Sequence, residues 1–312
     1  MALLIYHVYK GDPQYSSRLN EQLSIDDGKV LEAKKYLSIS FIFDLINKST
    51  SGDVIIFHQQ RMLLTMLVFN LFSRGRAVFY DMHDINEYKS WFSVKERLFY
   101  LTSYFLEWVL VFTSISVMTV SKGLSRVFFK RYGINSTVFE SIPIKISENE
   151  AVEKKNVCVY FGMINQERLP IKLINTIGEH GINVDVYGVF GCEMYKEKVL
   201  ACHNVSYLGG YNSHNIQDLI SGYQFSLIYI ENEYINIRYC LPNKLFQSLS
   251  SGVPCFISKN LKEIKIRYGS IGVFNDLDDC QGVTVNIEDL ESKSIVNLKK
   301  YREVLKIRRK RV

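Results

Sequence analysis

The sequence predicts an α/β protein of two Rossmann-like domains that face one another across a cleft. Three observations carry this prediction. Short apolar runs alternate with helix-period patterns through the first half, the rhythm of βαβ units and so of a parallel sheet. A polar stretch, Lys145-Ile-Ser-Glu-Asn-Glu-Ala-Val-Glu-Lys-Lys-Asn156, interrupts that rhythm, which then resumes. Late in the chain, a helix marked at both ends by proline and glycine follows a strand, at the carboxyl edge where such sheets bind ligands. The expected boundaries are residues 1–145 for the first domain, 146–156 for a linker, 157–290 for the second domain and 291–312 for a terminal helix with a basic tail.

Taken in order, Leu3–Val8 reads as a strand, Leu31–Asn47 as a helix, Asp53–His58 as a strand, Arg61–Ser73 as an apolar helix and Ala77–Met82 as a strand. Leu98–Met118 carries one charge, Glu107, and approaches membrane-spanning length. Its Thr and Ser residues, and the β-rich Ser116-Val-Met-Thr-Val-Ser121, favour a helix to about Phe112 followed by a core strand. Gly123–Tyr132 reads as the next helix. Beyond the linker, strands are expected at Val157–Phe161, Val184–Gly188, Val205–Tyr207 and Phe225–Ile230, with helices at Leu169–His180 and Asn215–Gly222. The terminal helix is expected over Ile295–Lys306.

The bracketed helix lies in Tyr239-Cys-Leu-Pro-Asn-Lys-Leu-Phe-Gln-Ser-Leu-Ser-Ser-Gly-Val-Pro-Cys-Phe-Ile257. Pro242 suits a first-turn position, and Gly252 with Pro254 stops the helix. Leu245, Phe246 and Leu249 share one face; Lys244, Gln247, Ser248 and Ser251 share the other. An open N-terminus with a lysine in its first turn suits an anionic ligand.

This segment resembles the donor-binding element of GT-B glycosyltransferases, in the Pro-Asn-Lys-Leu-Phe form common in bacterial family 4-type surface-polysaccharide enzymes. The resemblance implies the two-domain architecture over nearly the whole chain, with the terminal helix crossing back to the first domain. It implies a nucleotide-diphosphate-sugar donor and a saccharide acceptor, the latter expected to be lipid-linked. In that family Lys244 and Asn243 would contact the donor diphosphate. The strand and glycine turn Val159-Tyr-Phe-Gly-Met-Ile-Asn-Gln-Glu-Arg-Leu169 resembles the family's second phosphate loop, which gives Arg168 the role of a phosphate cation and Gly162 that of close approach. A guanidinium suits the task because it grips two oxygens and stays charged. Gln247 and Tyr239 stand where retaining family-4 relatives carry glutamates. A glutamine carbonyl still accepts from a ribose hydroxyl, yet the departure leaves both retention and inversion open. Glu231 and Glu233 follow a strand, and one of them is expected at the donor sugar. By the same resemblance His83, beside Asp84 in Val78-Phe-Tyr-Asp-Met-His-Asp84, is the candidate at the reacting centre. His58 is a second candidate, flanked by Gln59 and Gln60, while His7 and Arg18 flank the first βα loop. His180, His203 and His214 read as loop or helix-end residues.

Asp276-Leu-Asp278-Asp279 contains a short acidic pattern used elsewhere for metal diphosphates, but its position favours a helix start, so no metal and no cofactor are expected. The 38 basic and 32 acidic residues give +6, suited to nucleotide phosphates or anionic lipid and short of a nucleic-acid signature. Six cysteines show no metal spacing, and Met1-Ala-Leu-Leu-Ile-Tyr lacks a basic leader, so a reduced, cytoplasmic protein is expected. Trp91, Phe92, Lys95, Arg97 and the basic, aromatic helix 123–132 suggest docking on an inner membrane leaflet. Two alternatives stay open: a non-catalytic sugar-nucleotide-binding partner in a polysaccharide assembly, and an integral membrane protein.

Overall fold

Strands covered on both faces carry unbroken apolar runs, and the runs of this chain build two parallel sheets. A computed structural model describes residues 4–9, 22–23, 25–26, 28–33, 38–73, 75–89, 93–143, 146, 155–212 and 215–309. Arg18, Trp91, Phe92, His214, most of the polar linker and the terminal Lys310 and Arg311 lie outside the described residues. The chain divides into two units, Met1–Ser141 with Val296–Val312, and Ile142–Ile295. Each is a Rossmann-like α/β domain.

In the first unit the strands are β1 (Ile5–Tyr9), β2 (Lys29–Glu32), β3 (Val54–His58), β4 (Ala77–Met82), β5 (Ser116–Thr119) and β6 (Ser136–Val138), in the order β2-β1-β3-β4-β5-β6. All pairs are parallel. The chain reverses direction across the sheet between β1 and β3, the topological switch point where such sheets bind ligands. The helices are α1 (Ile39–Lys48), α2 (Leu63–Phe72), α3 (Val94–Val109) and α4 (Lys122–Tyr132). Ser121 caps α4 through its hydroxyl on the Leu124 N–H, and Gly133, at φ 71°, ends it. One expectation fails here. Leu31 and Glu32, read as the start of a helix, belong to β2, because they pair with Val8 and Tyr9 of β1. That partner is invisible to local periodicity.

The second unit holds β7 (Lys155–Ile164), β8 (Asn183–Phe190), β9 (Val205–Gly209), β10 (Tyr223–Ile228), β11 (Cys255–Ile257) and β12 (Val273–Phe274), in the order β12-β11-β10-β7-β8-β9. Counted from β7, this is the doubly wound nucleotide-binding order, with its switch point between β7 and β10. Its helices are α5 (Ile171–Glu179), α6 (Glu193–Leu200), α7 (Ile216–Ile220), α8 (Ile235–Tyr239), α9 (Asn243–Ser250) and α10 (Lys262–Gly272). Along β7, Cys158 and Tyr160 join one core while Val159 and Phe161 join the other, which is why the strand reads as continuously apolar.

The final helix, α11 (Ile287–Arg309), begins well before the expected Ile295, because Asn286 accepts the Asp289 N–H at 3.1 Å and starts it early. Tyr301 and Leu305 pack into the first unit's core, with the Tyr301 ring 4.5 Å from that of Phe139.

The α3 helix presents its apolar side outward. Leu98, Leu101, Phe105, Trp108 and the following Phe112 recur at alternating three- and four-residue spacing and are 46–70% exposed. Ser103 and Glu107 face inward instead. Of the aromatics expected on α4, Phe128 and Tyr132 are buried and only Phe129 is exposed, beside exposed Arg126 and Lys130. No helix among the described residues is long and apolar enough to cross a membrane.

Candidate functional site

The α9 helix begins one residue after Pro242, which takes the cap position with ψ 148° rather than the first turn, and which supplies no side-chain cap. The first N–H groups of a helix have no partners within it, so this end stays open to a ligand. At the other end Gly252, at φ 70°, turns the chain. The Gly252 and Val253 N–H groups bond back to Leu249 and Ser248. Leu245, Phe246 and Leu249 bury the expected face, but Ser248 and Ser251 are buried as well and do not form a wet stripe.

Lys244 leaves the first turn of α9 and runs under the end of β7. Its ammonium lies 4.0 Å from the centre of the Tyr160 ring and 5.5 Å from that of Phe161, positions that favour a cation over the ring face. A side chain on Gly162 would place its Cβ 2.7 Å from Lys244 Cε and Nζ, so the glycine is what admits the lysine. Gly162 sits at φ 120° and pairs with Gly188, at φ 137°, where a Cβ would lie 1.8 Å from the Gly162 carbonyl oxygen. Two facing glycines thus let β7 and β8 close up at the sheet's carboxyl edge. Desolvation, and then the neighbouring Arg168 charge, hold Lys244 down at about 7. Arg168 itself is exposed in the turn after β7, its N–H bonded to Asn165.

The loop after β10 reaches the same turn, since the Glu231 N–H donates to the Glu167 carbonyl at 3.1 Å. Ser258 and Asn260 pin that loop at Ile230. Glu231 is exposed, and its charge adds to burial in raising the Tyr195 and Tyr229 hydroxyls. It lines an open groove of about 540 Å³ with Tyr229, Glu233, Ser258, Lys259 and Asn260; neither Gly162 nor Lys244 lines that groove. Asn243 is exposed at the helix start, while Gln247 and Tyr239 are half-buried. Glu233 lies 3.6 Å from Arg238. Asp276 caps a short turn through the Asp278 N–H. The second unit therefore sets Gly162 of β7 against Lys244 of α9, and brings the Glu231 loop to the turn that carries Arg168.

In the first unit His83 follows β4 with its side chain 29% exposed, and its Nε2 is 3.2 Å from Asp81 Oδ2. Its partner is thus Asp81, two residues back in the strand. Asp84, the expected neighbour, is exposed; burial, and then the charges of Glu107, Asp81 and Asp84, raise the pKa of the Tyr80 hydroxyl. The same Asp81 oxygen accepts from Gln22 Nε2 at 3.1 Å and lies 3.0 Å from His58 Nδ1. His58 Nε2 in turn lies 3.0 Å from His7 Nδ1, and His7 Nε2 lies 3.1 Å from Asp26 Oδ2. This buried chain spans β1, β3 and β4 across the switch point. Sequence reading named His7 and His58 singly and missed Asp81 and Asp26; the available signal for Asp81 was a polar residue inside a strand otherwise apolar, and Asp26, outside the strands, carried none. Beside it Gln59 adopts φ 71°, an uncommon left-handed value for a residue with a side chain. His58, Asp81 and His83 offer ligand atoms within 4.8 Å of one another. Their arrangement is that of a hydrogen-bond cluster, because two imidazoles and one amide converge on a single carboxylate oxygen.

No protein-family sequence profile matches the chain, and no curated protein sequence does. Solved structures do. An α,α-trehalose-phosphate synthase (UDP-forming) from Burkholderia vietnamiensis is similar at TM-score 0.61 and 9% identity, covering 99% of this chain and 95% of that one. An α-glucosyltransferase in complex with UDP-glucose and DNA is similar at TM-score 0.60 and 11% identity, covering 97% and 95%. A trehalose-6-phosphate synthase studied for glycosyl transfer with retention is similar at TM-score 0.59 and 10% identity, covering 97% and 95%. The likeness spans both units, and the fold of this chain is the GT-B fold of these glycosyltransferases.

Proposed function

We propose that the chain is a glycosyltransferase that moves a sugar, with retention, from a nucleoside-diphosphate sugar to a lipid-linked saccharide in the assembly of a bacterial surface polysaccharide. The observation that carries this reading is Lys244 in the first turn of α9, set against Gly162 and held down by lost hydration and by the charge of Arg168. Two cations brought together where one of them loses its water form an unfavourable arrangement until an anion arrives. A diphosphate supplies that anion, with Asn243 beside it and Gly162 giving the backbone room to approach. The same charges then stabilise the departing diphosphate as the glycosidic bond breaks, so no metal or cofactor is required. Gln247 and Tyr239 are assigned to the nucleoside side, Glu231 to the donor sugar, and His83 to the transfer step with Asp84 as its exposed neighbour. UDP is the first nucleotide to test, because similar structures are described as UDP-forming or bound to UDP-glucose.

The exposed aromatic row on α3, with exposed Lys95 and Arg97 on the same helix and Arg126 and Lys130 on α4, supports a peripheral position on the inner face of the plasma membrane as part of this proposal. Nucleic acid has no role in this reading.

The direct test supplies UDP-sugars and a lipid-linked saccharide extract and follows release of UDP. Release that depends on acceptor, persists in EDTA and is lost in Arg168→Ala is the expected result. Binding of nucleotide without release from any sugar nucleotide would replace the enzyme with a binding partner, the reading that Gln247 and Tyr239 in place of glutamates favour.

A further inference from the structure

The four imidazole nitrogens of His7 and His58 are all committed. His7 Nε2 faces Asp26, which also accepts the Gly28 N–H at 2.9 Å and the Tyr301 hydroxyl at 2.7 Å. His58 Nδ1 faces Asp81, which also accepts from Gln22 and His83. An ionised carboxylate only accepts, so both of these nitrogens must carry protons. The remaining two, His7 Nδ1 and His58 Nε2, are 3.0 Å apart, and one of them must be the donor. Three protons on two imidazoles make one positive charge. The rings stack at 5.3 Å and 20°, and both side chains are fully buried.

We propose that His7 and His58 hold one shared imidazolium charge between the carboxylates of Asp26 and Asp81, and that this buried cation makes Asp81 a positioning residue for His83. With its charge already answered from inside, Asp81 accepts the His83 Nε2–H without drawing a second proton onto that ring. His83 is thereby held neutral, with Nδ1 left as an acceptor; no described residue hydrogen-bonds that atom. Such a lone pair suits a sugar hydroxyl as its ligand. Gly28 closes over His7 and Asp26, since a Cβ there would lie 2.6 Å from His7 Cδ2 and 2.8 Å from Asp26 Oδ1. The consequence for transfer rests on the assignment of His83 to that step; the proton count does not.

The test is the imidazole nitrogen NMR spectrum of the full-length protein labelled with [15N]histidine, at neutral pH and without substrates, assigned through His7→Gln, His58→Asn and His83→Gln. The expected spectrum has three protonated nitrogens and one bare nitrogen over His7 and His58, and His83 with Nε2 protonated and Nδ1 bare. Two protonated nitrogens on the pair, or His83 protonated at Nδ1 alone, would overturn the proposal. In His58→Asn the amide still donates to Asp81 while the cation is gone, and His83 is expected to become doubly protonated at the same pH; an unchanged His83 would remove the positioning role. If that variant does not fold, the wild-type spectrum still decides. One equivalent of zinc that binds through His58 Nδ1 and His83 Nε2 would also overturn the proposal, because both atoms are then lone pairs. Because no donor or acceptor is present, failure of the transferase reading leaves this result standing, and the reverse holds too.

Discussion

Binding of a nucleoside diphosphate should take up a proton at Lys244, and the size of that coupling follows from its surroundings. Free, the ammonium is held at about 7 by lost hydration and by Arg168. A diphosphate in contact restores it toward the ordinary lysine value of about 10.4. Affinity then weakens as the free lysine deprotonates, by about 2-fold at pH 7, about 11-fold at pH 8 and about 100-fold at pH 9 relative to acidic solution. Between pH 7 and 9 the dissociation constant should therefore rise about 50-fold. The terminal phosphate of UDP, with a second pKa of about 6, is already largely ionised in this window. Titration calorimetry in buffers of different ionisation enthalpy should find about half a proton taken up at pH 7 and nearly one at pH 8. Lys244→Met should abolish the uptake, flatten the pH profile and weaken binding about 10- to 150-fold at low pH, the loss of a charged hydrogen bond of about 1.5–3 kcal/mol. In the free protein the sign is also fixed. The folded pKa lies below the unfolded one, so the unfolded chain holds the extra proton, and this lysine's contribution to stability rises from pH 7 toward pH 10. A dissociation constant that stays flat from pH 7 to 9, with no proton uptake in the intact protein, would refute the placement of Lys244 at the phosphates.

Gly162→Ala should lower the melting temperature and nucleotide affinity together, because the new methyl meets Lys244 at 2.7 Å and the backbone is held at φ 120°, a strain of about 1–3 kcal/mol; an unaffected affinity would separate the glycine from the ligand. Glu107, buried against Tyr132 and Gln60, is pushed up to about 7 by burial. Its folded pKa is above its unfolded value, so its contribution to stability is lost as pH rises through 7. Glu107→Gln should therefore raise stability at pH 8 by at most about 3 kcal/mol and change little near pH 4, as melting curves across that range would show; equal shifts at both pH values would exclude titration as the cause. Phe105→Ser with Trp108→Ser should leave the melting temperature intact, both side chains being exposed, while abolishing flotation with anionic vesicles. Unchanged flotation would remove α3 as the docking face.

The parts of the fold that were legible are the strands whose own residues declare them. Val54–His58, Ala77–Met82 and Phe225–Ile228 are apolar runs buried on both faces, and each is readable as a strand without its place in the sheet. Both edge strands of the first sheet were illegible, whereas Val205–Tyr207 at the edge of the second was readable. Lys29–Glu32 and Ser136–Val138 become strands by pairing with β1 and β5, a tertiary cause that leaves no local period. Helix α6 was missed for a related reason: only Val199 of Glu193–Leu200 is buried, so it carries almost no apolar stripe. At the candidate site, Lys244 was readable as a helix-end cation and Gly162 as a turn glycine, because their chain neighbours mark those positions. The contact between them was not, since it depends on β7 closing against β8 through Gly188. The histidine chain was hidden more deeply. It needs β1, β3 and β4 side by side, and only that register turns separate histidines and aspartates into one hydrogen-bonded unit.

The most direct measurement is the melting temperature of the wild type and of Lys244→Ala with saturating UDP, GDP, CDP or ADP, each with and without EDTA. A ligand that binds only the folded state at 100 times its dissociation constant stabilises it by about 2.7 kcal/mol. Stabilisation by one nucleotide, insensitive to EDTA and lost in the variant, is the result expected of a metal-independent donor site at Lys244. Stabilisation that vanishes with EDTA, or that survives removal of Lys244, or none with any nucleotide, would contradict it.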